Sequence, residues 1–286
     1  MGKIIDGKAI AAEIRSEVKE SVAALKSVGV TPGLAVILAG DDAASQIYVK
    51  NKAKACDEAG IYSEVVRLPG DVDERRLLET VEILNRRDDI HGILVQLPLP
   101  KHINEKTVIE KISKEKDVDA FSFENVGRIM TGHGAFLPCT PAGVIELLER
   151  SGVEIEGKNC VVVGRSDIVG KPLAMMLLSK NGTVEVCHSK TEDLAEHTKR
   201  ADILAVAIGK PKFISADMVK DGAVVIDVGI NRDENGKVCG DVDFERVLPK
   251  CSLITPVPGG VGPMTVAMLL KNTLAAAQMR KGTGEN

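Results

Sequence analysis

The 286-residue chain has no tryptophan, and aromatic residues make up only 2% of it. A core without large rings must be filled by Val, Ile, Leu, Ala and Met, which suits helices packed on parallel strands with aliphatic runs. There is no basic arm and the net charge is −4, so no nucleic-acid partner is expected. No apolar run approaches the ~18 residues of a membrane span, and the start, MGKIIDGKAI, lacks a hydrophobic signal core. It opens Met-Gly, yet Asp6 stands where a myristoylation signal carries Ser or Thr. The six cysteines form no CxxC pair and the five histidines no HxxxH pair, so no metal site is expected. Scattered thiols of this kind read as buried and reduced, which makes the cytoplasm the expected location, with no membrane partner.

What the chain does have is an alternation of strand and helix signals over a length that suits about two domains. Ile10, Ile14, Val18, Val22 and Leu25 recur at helical spacing, and Gly29 ends that helix. Strands are predicted at Gly33–Gly40, Tyr62–Leu68 and Gly92–Leu97, with helices over Asp42–Ala59 and Glu74–Arg86. Pro98 and Pro100 stop the third strand and leave Gln96 near its carboxyl end, where α/β sheets place ligands. Thr140-Pro141 opens a helix with Pro in its first turn and marks the crossing into a second domain. There, strands at Asn159–Val163, Thr183–Cys187, Asp202–Ala207, Ala223–Val228 and Leu253–Ile254 alternate with helical stretches. A last helix spans Gly262–Gln278, apolar at Val266, Leu269, Leu270 and Thr273.

The second domain carries a candidate dinucleotide site. Val161-Val162-Val163 runs into Gly164-Arg165-Ser166-Asp167-Ile168-Val169-Gly170 and then a helix. A strand, a glycine-bearing turn and a helix amino terminus attract phosphate, because unpaired N–H groups and the helix dipole face it. The match to GxGxxG is partial: Ser166 and Val169 stand where the second and third glycines belong. The tip of the next strand reads His188-Ser189-Lys190, without the carboxylate that NAD sites use for the ribose hydroxyl. Ser189, with Arg165 reaching across from the first turn, suits a 2′-phosphate, so NADP is the expected cofactor. Glu185, within that strand, reads as a solvated or paired side chain.

In the first domain Tyr48 and Lys52 stand four apart on one helix and share a face, with Ser45 one turn before. Val49, Ala53 and Cys56 mark the adjacent buried stripe, so Lys52 is expected at the border of burial, where desolvation favours a neutral amine that can act as a base. Alone, such a pair is an ordinary helix-surface contact. Three further segments add to it: GILVQLPLP, with Gln96; KDVDA, with carboxylates at Asp117 and Asp119 on one side if extended; and PVPGGVGPMT, a glycine-rich turn entering the last helix. That turn by itself also suits a helix entry with special backbone angles.

Together with GRSDIVGKP and PCTP, and in this order, these segments closely resemble the bifunctional methylenetetrahydrofolate dehydrogenase/methenyltetrahydrofolate cyclohydrolase family over nearly the whole chain. The resemblance implies two α/β domains with a cleft between them. One is a folate-binding catalytic domain of residues 1–139, with 262–286 packing back on it. The other, residues 140–261, is Rossmann-like, with a parallel sheet that binds NADP. It implies NADP-dependent oxidation of 5,10-methylenetetrahydrofolate, hydrolysis of the methenyl product to 10-formyltetrahydrofolate, and a homodimer. By the same resemblance Tyr48 stacks on the pterin, Lys52 is the catalytic lysine, Gln96 is its hydrogen-bonding partner, and Asp119 grips the pterin N–H donors. Gly164, Arg165, Ser166 and Ser189 match the NADP contacts, and Ile230 matches a backbone contact to the cofactor. Ala120 replaces the glycine usual after KDVD, which leaves the chain path beside Asp119 open. Two other classes fit the residues less fully: a shikimate- or amino-acid-type dehydrogenase, and a dinucleotide-binding regulator with a relic substrate site.

Overall fold

The computed structural model describes residues 2–283, with side chains through Arg280. In chain order the elements are β1 (Lys3–Ile4), α1 (Gly7–Ser27), β2 (Gly33–Ala39), α2 (Ala43–Ala59), β3 (Tyr62–Leu68), α3 (Glu74–Arg86), β4 (Gly92–Val95), α4 (Glu105–Lys111), α5 (Phe123–Met130) and α6 (Cys139–Arg150). They continue as β5 (Asn159–Val163), α7 (Gly170–Ser179), β6 (Thr183–Cys187), α8 (Leu194–Thr198), β7 (Ile203–Val206), β8 (Val224–Asp227), β9 (Asn231–Arg232), β10 (Val238–Cys239), α9 (Phe244–Val247), β11 (Leu253–Ile254) and α10 (Val261–Thr283). None of the described helices is long and apolar enough to cross a membrane.

The chain divides into two compact units. One joins the stretch up to Ala12 with Thr140–Thr265; the other joins Glu13–Cys139 with the stretch from Val266 onward. The first dozen residues, expected with residues 13–139, belong instead with the second half of the chain. Lys3 and Ile4 pair in parallel with Leu253 and Ile254 of β11. A two-residue strand is too short to show an alternation, and its partner is supplied from the far end of the sequence.

In the unit built on Glu13–Cys139, β2 is the centre of a parallel sheet in the order β3-β2-β4. All seven of its residues are buried, as expected of a strand covered on both faces. Ile37, Leu77, Val81, Ile93 and Val108 belong to one apolar cluster. The flanking helices start on acidic caps: Asp42 accepts the Ser45 N–H at 2.7 Å and Asp73 the Arg76 N–H at 2.7 Å. Strand β4 ends at Val95, two residues earlier than expected, yet Gln96 still donates its N–H to Ile37 O at 2.9 Å. Beyond β4 the KDVD segment takes the next position, with the Ile93 N–H donating to Lys116 O at 2.7 Å.

In the other unit six parallel strands run in the order β1-β11-β8-β7-β5-β6. Val163, at the end of β5, pairs with Cys187 of β6 on one side and Val206 of β7 on the other. Strand order therefore reverses at β5, and the crevice beyond such a reversal is where open α/β sheets bind ligands.

Ala120 resolves the question of the chain path. It is fully buried and left-handed, with φ 56°, the region a glycine enters without penalty. Ala120→Gly exchanges a left-handed strain of about 1 kcal/mol for a lost methyl of about 0.8 kcal/mol, so Tm should stay near wild type. Ala120→Val puts a β-branched side chain where that class is an outlier, and Tm should fall by roughly 5 °C. Thermal unfolding followed by circular dichroism checks both; a valine variant as stable as wild type contradicts this backbone.

Candidate active site

Helix α2 carries Tyr48 and Lys52 on successive turns. Lys52 is 9% exposed, while Tyr48 keeps 41% of its surface in solvent. Lys52 Nζ donates to Gln96 Oε1 at 3.0 Å. The other end of that amide is also engaged: Gln96 Nε2 donates to Leu97 O at 2.7 Å. This second bond orients the amide, so that its carbonyl oxygen is the end presented to the lysine.

The KDVD segment divides its labour. Lys116 is buried and donates to Leu84 O at 3.0 Å and Arg87 O at 2.6 Å, carbonyls at the end of α3. Burial first, and then the nearby Arg280 guanidinium, push this ammonium down to about 8. Asp117 accepts the N–H groups of Phe121 and Ser122 at 3.3 and 2.9 Å and the Asn125 amide at 2.9 Å. These bonds fold the segment into a turn, with the Ala120 N–H on Asp117 O. It is not extended, and its two carboxylates serve different ends: Asp117 ties down backbone, and Asp119 does not.

Burial pushes the Asp119 carboxyl up; the Lys52 charge opposes this, Asp117 adds to it, and a hydrogen bond with Cys139 opposes it. The Cys139 thiol is in turn raised well above its ordinary value, by burial first and by Asp119 next. Asn272 of α10 donates to Val118 O and Leu137 O, each at 2.8 Å, and to Cys139 Sγ at 3.7 Å. Sequence reasoning gave Cys139 and Asn272 no role. The available signal was an amide in an otherwise apolar helix stripe, because a buried amide has to find partners. The arrangement thus offers a nearly buried amine with a fixed acceptor, a partly buried carboxylate under that amine's charge, and an exposed phenol ring one turn before it.

The dinucleotide candidate is built at the end of β5. Gly164 has φ +137°, and a Cβ there would lie 2.3 Å from Ala207 O. The third-glycine role falls one residue later than the GxGxxG pattern places it: a Cβ on Gly170 would lie 2.2 Å from Gly164 O. Val169 can therefore stand where a glycine was expected. Ser166 Oγ accepts the N–H groups of Val169 at 3.2 Å and Gly170 at 3.3 Å. A hydroxyl that accepts these two N–H groups still has its O–H proton available to donate to an anion.

Arg165 and Ser189 are exposed and each follows the last residue of its strand by two, Val163 in β5 and Cys187 in β6, which are paired. The turn after β6 is closed by the His188 N–H on Thr191 Oγ1 at 2.9 Å. Glu185 is paired with His197 Nδ1 at 2.5 Å and Arg200 Nη2 at 3.4 Å. Glu185, Cys187 and His197 bring possible metal-ligand atoms within 4.8 Å of one another. Burial pushes the Cys187 thiol up to about 11, which disfavours the thiolate a metal needs. Ile230 is 52% exposed in the loop after β8.

The family model described as tetrahydrofolate dehydrogenase/cyclohydrolase, catalytic domain, matches residues 5–119. Its companion, the NAD(P)-binding domain of the same family, matches residues 138–281. The bifunctional protein FolD of Moorella thermoacetica is 60% identical over 276 residues, covering 96% of this chain and 99% of the relative. Among solved structures, the bifunctional FolD methylenetetrahydrofolate dehydrogenase/cyclohydrolase of Campylobacter jejuni is 53% identical, with a TM-score of 0.96 over 98% of this chain and 100% of that one. The Trypanosoma brucei N5,N10-methylenetetrahydrofolate dehydrogenase-cyclohydrolase, solved with NADP and an inhibitor, is 42% identical, with a TM-score of 0.94 over 98% of each chain. Both halves of the sequence and nearly its whole length thus agree: the chain belongs to the tetrahydrofolate dehydrogenase/cyclohydrolase family.

Proposed function

We propose that this protein oxidises 5,10-methylenetetrahydrofolate with NADP to the 5,10-methenyl form and hydrolyses that product to 10-formyltetrahydrofolate, both reversibly. The observation that carries the reading is the Lys52–Gln96 hydrogen bond, 3.0 Å long, beside Asp119, within a chain of this family. NADP, when bound, supplies the hydride acceptor. Gly164, Arg165, Ser166, Ser189 and Ile230 are the residues that would hold it. The fit rests on the close backbone approach at Gly164 and Gly170, the exposed Ser166 hydroxyl, and a β6 tip without a competing carboxylate.

The two steps ask different things of the protein. A methylene between two nitrogens loses hydride readily, because both lone pairs stabilise the amidinium, and the protein's task is placement. The exposed Tyr48 ring offers a flat surface for the pterin, and Asp119 an acceptor for its N–H donors. Hydrolysis adds water to the amidinium and then breaks a C–N bond, so a proton must leave the oxygen and another must reach the departing nitrogen. Lys52 takes and returns that proton, with Gln96 Oε1 holding Nζ in place. Residues 13–139, with the last helix, form the folate-binding part of this proposal, and residues 140–261, joined by the first dozen residues, the NADP-binding part. A cytoplasmic homodimer completes it, checked by light scattering of the purified protein.

Two substitutions test the assignment. Lys52→Met should abolish hydrolysis of methenyltetrahydrofolate, by roughly 100-fold or more, while NADP affinity measured by calorimetry stays near wild type; full hydrolysis by the purified variant refutes the role of Lys52. Arg165→Ala should raise KM for NADP by about 10-fold, as expected for loss of a charge-assisted contact, and leave KM for NAD nearly unchanged. An equal rise for both nucleotides excludes Arg165 as a 2′-phosphate contact.

A further inference from the structure

Two carboxylates inside the dinucleotide unit have no place in the chemistry above. Asp227 ends β8 and is 3% exposed; Asp241 follows β10 and is fully buried. Asp227 accepts the N–H groups of Gly229 at 3.0 Å and Asp241 at 2.9 Å on one oxygen, and of Val242 at 2.9 Å on the other. Asp241 accepts the N–H groups of Ile208 at 2.7 Å and Gly209 at 3.1 Å on one oxygen. Its other oxygen accepts the Lys210 N–H and Asn231 Nδ2, each at 2.8 Å. The backbone crowds around them: a Cβ on Gly229 would lie 2.3 Å from Asp241 Cγ, and one on Gly240 would lie 1.9 Å from Asp227 Oδ2. Two neighbouring buried carboxylates repel and lose hydration, so each needs this full set of donors.

The donors come from particular loops. Ile208, Gly209 and Lys210 leave the carboxyl end of β7; Gly229 and Asn231 leave that of β8. Both strands lie on the side of β5 away from β6. A dinucleotide lying across the reversal at β5 sets its adenosine half over β6 and its nicotinamide half over β7 and β8. Ile230 is held on both sides, through Gly229 on Asp227 and Asn231 on Asp241, while its own side chain projects into solvent. We infer that Asp227 and Asp241 are positioning residues that set the β7 and β8 loops for the nicotinamide half of NADP, and so serve hydride transfer without serving hydrolysis. This rests on the function proposed above.

Asp241→Asn keeps the size of the side chain but turns one oxygen into a donor facing two N–H groups. In the full-length protein it should lower dehydrogenase kcat/KM for NADP by ~10- to 100-fold, the scale of a misplaced reactant. NADP binding by calorimetry should weaken, whereas binding of 2′,5′-ADP, the adenosine half alone, should stay within about twofold. Nucleotide-free hydrolysis of methenyltetrahydrofolate should be unchanged. Asn231→Ala, at a half-buried position, should move the same readouts in the same direction by about 3- to 10-fold, and decides the matter if Asp241→Asn does not fold. Wild-type dehydrogenase activity in a folded variant overturns the inference, as does a parallel loss of 2′,5′-ADP binding and hydrolysis, which marks a general structural role. If wild-type protein fails to oxidise the folate, the proposed function falls, and the contrast between NADP and 2′,5′-ADP binding still judges the positioning role.

Discussion

A charge taken out of water has to be given partners, and the organisation of both units follows from how that demand is met. Lys116 gives its protons to two carbonyls and Asp117 receives three N–H donors. Both are buried and spend most of their hydrogen bonds holding the chain around them. Lys52 and Asp119 differ: the lysine has one amide acceptor, and the carboxyl, raised by burial, has a thiol beside it. Incompletely satisfied groups at the border of burial are the ones that chemistry can use.

The two sheets apply one design. A parallel strand ends, and the useful group stands at its last residue or just past it: Gln96 after the buried β4, Gly164 after the buried β5, Asp227 closing the buried β8, and Ser189 beyond the edge strand β6. Within each sheet, parallel pairing aligns the carboxyl ends, so residues far apart in sequence arrive at one edge of that sheet. The aliphatic core makes that edge a stiff platform, because close-packed interiors resist displacement.

Much of this was legible beforehand. Helices α2 and α3 lie within a residue of the spans expected for them, and the structure adds that Asp42 and Asp73 cap them by accepting early free N–H groups. Tyr48 and Lys52 share a face because helical spacing allows nothing else. The turn after β5 was recognisable from Gly164 and its context, although the pattern placed the third close approach at Val169 and the structure has it at Gly170. The KDVD carboxylates share a side only if that segment is extended. A left-handed Ala120 and the donors gathered by Asp117 make the segment a turn.

The sequence by itself determined the longer strands and helices, and the residue types available for proton transfer and phosphate binding. These depend on neighbours within one helical turn or one strand, whose geometry periodicity encodes. Only the tertiary structure decided that Lys52 meets Gln96, that Asn272 reaches back 154 residues to Val118, that β1 joins β11, and that Asp227 and Asp241 lie together. Each of these is a buried polar group or strand edge finding its partner across parallel connections, and no local spacing records which distant backbone will be there to receive it.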